Sequence, residues 1–127
     1  MQYIVSIALL VVAVIHLLPL MGILGVDKLN SLYGLSIAGD ANLEILMRHR
    51  AVLFGLLGTF LVLAVFKAQY QVIAFIAGFI SVLSFMWLAW SVGGYNLEIA
   101  RVFKADIVAL VCLTIGAIFY GIQQSRN

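Results

Sequence analysis

Four long apolar runs, each bounded by short polar punctuation, organise the chain. They cover about residues 3–24, 43–66, 72–92 and 97–123. A helix rises about 1.5 Å per residue, so each run is long enough to cross a hydrocarbon core of about 30 Å. The pattern predicts an all-α integral membrane four-helix bundle, one transmembrane domain over residues 1–127, with both termini on the same side. The first run lacks a basic flank and a small-x-small site, so it is expected to be a retained span rather than a signal peptide. Pro19 should kink it and free a carbonyl near residue 15, and that carbonyl would give His16 a structural partner.

The connections carry turn and cap chemistry. Residues 25–41 are rich in Gly, Asp and Asn, and Asp27 is placed to cap a short helix over Lys28–Leu35. Leu29, Leu32, Tyr33 and Ile37 would then rest on the membrane surface or roof the bundle. Asp40 or Asn42 caps the second span, Lys67–Gln71 make a tight turn, and Asn96 after Gly93-Gly94 caps the fourth. Trp87 and Trp90 sit near the end of the third span, as an interfacial belt requires. Asn42-Leu43-Glu44-Ile45 recurs as Asn96-Leu97-Glu98-Ile99, with a base and an alanine following at matching places. The recurrence suggests two helical hairpins related by duplication; the alternative is coincidence between two well-capped helices. Ala51, Gly55 and Thr59, Ala74 and Gly78, and Ala105 and Ala109 form small-residue stripes suited to close helix packing.

Composition narrows the classes. The chain is 65% hydrophobic and 9% charged, against about 25% charged in a soluble domain, and leaves no room for a soluble catalytic domain. A net charge of +2 offers no case for nucleic acid. The single Cys112 excludes an internal disulfide, and no CxxC or HExxH spacing occurs.

The few charges are unevenly placed. Residues 51–66 are uncharged, which as a helix is only about 24 Å. Arg48-His49-Arg50 must therefore lie at the interface or just inside it. Successive helix positions turn by about 100°, so the three side chains cannot share one direction. Glu44, one turn before Arg48, shares its face. Residues 107–122 are likewise uncharged, which brings Arg101, Lys104 and Asp106 to the same side. His16 and His49 fall about 13 Å and about 10 Å below that surface. His16, Tyr33, Glu44, Arg48, His49, Arg50, Tyr95, Asn96, Arg101 and Asp106 thus form a candidate ligand-binding set in one leaflet, with Glu98 beside them. Ionisable groups at such depth are costly unless paired or solvated, and by default mark a functional site. The plainer readings are snorkelling by Arg48 and Lys104, and a structural pair of Arg101 with Glu98 or Asp106. Asp106 is expected to face Arg48 or Arg50 and to tie the second and fourth spans together. Lys28, Arg48, Arg50, Arg101 and Lys104 on this side, against Lys67 and Arg126 on the other, favour a cytoplasmic site. Bases that are buried and paired do not report topology, so the orientation stays open.

The first functional expectation is a pocket that binds the anionic head of an amphiphile, a lipid or quinone-like molecule, or an acidic residue of a partner subunit. Arginines are its bidentate donors and no cofactor is needed. The alternative is redox, with haem b between His16 and His49, lined by Trp87 and Phe54. A further alternative is a lipid-modifying enzyme with His49 as base oriented by Asp106, which lacks a placed serine or cysteine nucleophile. Transport is disfavoured, because four short spans hardly enclose a path unless the protein is a homo-oligomer.

Leu32-Tyr33-Gly34, the run from Met47 to Gly55, Gly93-Gly94-Tyr95-Asn96 and Ala105-Asp106 resemble a group of small four-helix bacterial membrane proteins, more distantly DoxX-like. The resemblance spans nearly the whole chain and implies a multi-pass protein of the bacterial inner membrane. Some of that group carry the label phosphopantetheine adenylyltransferase. This chain has no histidine motif and no nucleotide-binding α/β domain to support such an activity.

Overall fold

The computed structural model describes residues 2–34 and 39–127, with all their side chains except those of Val26 and Leu32. Helix α1 (Gln2–Leu17) continues as a 3-10 segment over Leu18–Leu24. The expected kink is therefore a change of helix type. Pro19 stands in the first positions of that segment, where its missing N–H costs least. Helix α2 (Val26–Tyr33) begins two residues earlier than expected. Its cap is Gly25, and Asp27 instead sits in the first turn, where a carboxylate complements the helix dipole. Gly34, at φ 61°, closes the helix in the left-handed region. The expected extension to Leu35 and the placement of Ile37 lie outside the described residues, as does the side chain of Leu32.

Helix α3 (Ala41–Phe66) is capped by Asp40, whose Oδ1 accepts from the Leu43 amide at 3.0 Å. A single 3-10 turn, Ala68–Tyr70, leads into α4 (Gln71–Val92). Helix α5 (Leu97–Ser125) is capped by Asn96, whose Oδ1 accepts from the Ile99 amide at 2.8 Å. The two Asn-Leu-Glu-Ile segments thus differ in register: Asn96 is a cap, whereas Asn42 lies inside its helix.

Helix α1 packs against α3 and α5, and α4 closes the square against both. Helices α3 and α5 consequently face each other across a diagonal. Two hairpins related by an axis through the bundle would stand in this way. Val5, Leu9, Val12 and Ala13 of α1 are wholly buried with Leu61, Ala64, Ala74, Val82, Ala109 and Leu113. Glycine lets the helices approach: a Cβ on Gly116 would lie 2.9 Å from Ala8 Cβ and 3.0 Å from the Phe75 ring. Helix α2 lies over one end of this core. Leu29 and Tyr33 are buried there among Leu43, Met47, Ile99 and Val102. It is a roof.

The outer surface is apolar all round, with Ile7, Leu56, Ile73, Ile80, Trp90 and Ile118 more than half exposed. Water would penalise so large a patch; hydrocarbon does not. Four helices are long and apolar enough to cross a membrane. The architecture is that of an all-α, multi-pass membrane protein.

Candidate functional site

His16 is the most deeply placed ionisable side chain on α1, and its residue is only 2% exposed. Its Nδ1 lies 2.9 Å from the Val12 carbonyl, one turn back on the same helix, not from the carbonyl near residue 15. A carbonyl only accepts, so Nδ1 donates. The neutral ring then offers Nε2 to the Ser81 hydroxyl at 2.9 Å. This bond joins α1 to α4, which otherwise face each other across the second diagonal.

Between this bond and the roof lies a cavity of about 280 Å³. His16 and Pro19 wall it on the α1 side, Ser31 and Tyr33 roof it, and Arg50 and Phe54 enter from α3. Helix α5 supplies Glu98, Arg101, Val102, Ala105 and Asp106, whose three- and four-residue spacing is one helical face. The wall is mostly carbon, with charge at a few points.

Arg50 is held by rings. Its guanidinium lies 5.1 Å from the Tyr33 centroid and 4.7 Å from that of Phe54. Such contacts leave the N–H edge free for an anion. Asp106, on the opposite wall, is 9% exposed and shares the cavity with Arg50. Asp106 makes neither of the contacts expected of it, with Arg48 or with Arg50, because α3 and α5 stand on the diagonal rather than side by side. Among the described residues the ion pair within 4 Å is Arg48–Glu44, at 3.3 Å on one face of α3.

The ten residues of the expected set therefore separate. His16, Tyr33, Arg50, Arg101 and Asp106 meet in the cavity. Arg48 and Glu44 do not line it; Arg48 also donates through Nε to the Ile23 carbonyl at 3.2 Å, outside the roof. His49, next in sequence, is exposed and outside the cavity, as the 100° step dictates. Trp87 is exposed too. Asn96 braces the roof from below, donating through Nδ2 to the carbonyls of Tyr33 at 2.8 Å and Gly34 at 3.1 Å. Tyr95 stacks on Phe103, rings 6.1 Å apart and inclined by 11°, and belongs to a second space.

That space is an apolar groove of about 320 Å³ between the last two turns of α4 and the start of α5. Phe85, Leu88, Ala89, Val92, Tyr95 and Ile99 line it together with Arg50. Arg50 and Phe85 belong to both spaces. Ser81 and Phe85 carry parts that sequence reasoning did not assign. The available signal was depth: a histidine in mid-span needs a polar partner on a neighbour, and Ser81 is the hydroxyl on α4 that meets it. Ser81 does not itself line the cavity, so the pair works as a tie between helices and lacks the substrate access that a nucleophile needs.

Known protein families, curated proteins and solved structures were each compared with the chain, and none matches it.

Proposed function

We propose that this protein binds a membrane amphiphile by its anionic head, with Arg50 as the anchor. One observation carries the reading. Arg50 lines both the cavity and the apolar groove, and its guanidinium is flanked by aromatic rings with no carboxylate within ion-pair distance among the described residues. A head on Arg50 leaves the chains of the same molecule to the groove. Arg101 at the rim and the Tyr33 hydroxyl add donors. The reading includes the setting expected from the sequence: a bacterial inner membrane, both termini on one side, and kinship with the small four-helix proteins it resembles. No observation favours haem, since His49 lies outside the cavity and both nitrogens of His16 are engaged.

The test is lipid retention. The protein and its variants are purified in mild detergent, and co-purified amphiphiles are quantified by mass spectrometry. Loss of a charge-assisted bidentate contact of about 1.5–3 kcal/mol should lower retention in Arg50→Ala roughly tenfold or more. Arg50→Lys should fall between, because an ammonium lacks the planar fork. Arg48→Ala should retain wild-type amounts, since Arg48 faces Glu44 and the Ile23 carbonyl instead. Wild-type retention in Arg50→Ala would end the reading.

A further inference from the structure

Arg50 and Arg101 share the cavity with two carboxylates, Glu98 and Asp106, and none of the four is in an ion pair within 4 Å among the described residues. An anion on Arg50 therefore answers only half of the cavity's charge. Of the two carboxylates Asp106 is the buried one, whereas Glu98 stands in the first turn of α5. Asp106 is nine-tenths buried, has no hydrogen-bond partner among the described residues, and its side chain lines the cavity beside His16. His16 cannot serve it, because its Nδ1 hydrogen is on Val12 and its Nε2 is on Ser81. The Asp106 oxygens stay open to the cavity rather than sealed in protein, and a carboxylate so placed is costly unless a cation or water reaches it.

Resting on the reading above, we infer that the head of the amphiphile is zwitterionic, a phosphoethanolamine, with its phosphate on Arg50 and its primary ammonium on Asp106. The layout orders the parts. The groove is apolar and would hold the chains, Arg50 lines both spaces, and Asp106 lines the cavity but not the groove. The head enters laterally and its ammonium ends innermost. A primary ammonium suits this wall better than a quaternary one. Its N–H groups can be donated to the carboxylate, whereas a quaternary ammonium needs an aromatic cage; the Tyr33 and Phe54 rings are taken by Arg50, and Phe85 by itself makes no cage.

The experiment is a native mass-spectrometry titration of the intact protein with lipids of identical chains: phosphatidylethanolamine, its N-methyl and N,N-dimethyl forms, phosphatidylcholine, phosphatidylglycerol and diacylglycerol. Wild type should bind phosphatidylethanolamine at least fivefold more tightly than phosphatidylglycerol, and affinity should fall with each methyl added. The methyl series needs no variant, so it stands even if Asp106→Asn folds poorly. Where Asp106→Asn does fold, phosphatidylethanolamine should drop to the level of phosphatidylglycerol, which itself should not change. Water-soluble phosphoethanolamine at equal concentration should not compete, because it leaves the groove empty. Phosphatidylglycerol bound as tightly as phosphatidylethanolamine, indifference to methylation, an unchanged preference in Asp106→Asn, or competition by the soluble head would each overturn the inference. In those outcomes, phospholipids still held above diacylglycerol through Arg50 would leave the anionic-head reading standing. Phospholipids bound no better than diacylglycerol, with Arg50→Ala like wild type, would remove that reading as well.

Discussion

Gly116→Val is expected to lower the unfolding free energy of the detergent-solubilised protein by about 2–3 kcal/mol, at the upper end of what overpacking costs. Three helices meet at this position. A Cβ on Gly116 would lie 2.9 Å from Ala8 Cβ on α1, and 3.0 and 3.1 Å from ring atoms of Phe75 on α4. Ala8 has no rotamer with which to yield, and Phe75 is buried. The helices must therefore move apart, and in lipid it is close van der Waals contact that holds them. Gly116→Ala should cost about 1 kcal/mol, and Ala8→Gly in the same molecule should restore part of it by vacating the opposing methyl. Denaturant titration followed by tryptophan fluorescence or circular dichroism reads all three proteins. If Gly116→Val unfolds at the wild-type midpoint, the three-helix contact is looser than described.

Asn96→Ala should cost about 2–3 kcal/mol, a helix cap at about 1 kcal/mol plus two side-chain hydrogen bonds at about 1 kcal/mol each, less what water restores. A single amide holds two elements here. Its oxygen caps α5 through the Ile99 amide, and its nitrogen carries the Tyr33 and Gly34 carbonyls at the end of α2. Asn96→Asp separates the two parts. The carboxylate keeps the cap and complements the helix dipole, but loses the donor and sets a charge against two carbonyl oxygens. Hydrogen exchange should then show α5 protected and α2 opened. Equal protection of α2 in wild type and Asn96→Asp would mean that the roof is held by Leu29 and Tyr33 packing alone.

The four spans were legible because hydrocarbon demands long uncharged runs, and nothing tertiary overrides that demand. The caps were nearly so: Asn96 stands where expected, and Asp40 was one of two candidates for α3. Asp27 has the chemistry of a cap, but Gly25 turns the chain first, and φ 134° there is a matter of backbone rather than side-chain chemistry. The cavity was legible only in part. Depth along the bilayer can be counted from sequence, and it brought His16, Arg50, Arg101 and Asp106 to one level. Azimuth cannot be counted until the order of helices around the bundle is known. For that reason depth alone groups Arg48 and His49 with Arg50 although they point elsewhere, and sets Asp106 against Arg48 or Arg50 although a diagonal separates the two helices.

The change of helix type after Leu17 sets the headroom above His16 and Asp106. A 3-10 helix climbs about 2.0 Å per residue and an α-helix about 1.5 Å. Over the 7 residues Leu18–Leu24 the difference is about 3.5 Å. Helix α2 hangs from the top of this segment, so an α-helical continuation would seat Leu29 and Tyr33 that much lower, close to a polar hydrogen bond's length nearer the floor of the cavity. The tertiary amide of Pro19, half-buried near the end of the first span, is in this sense the spacer that keeps the roof off the floor.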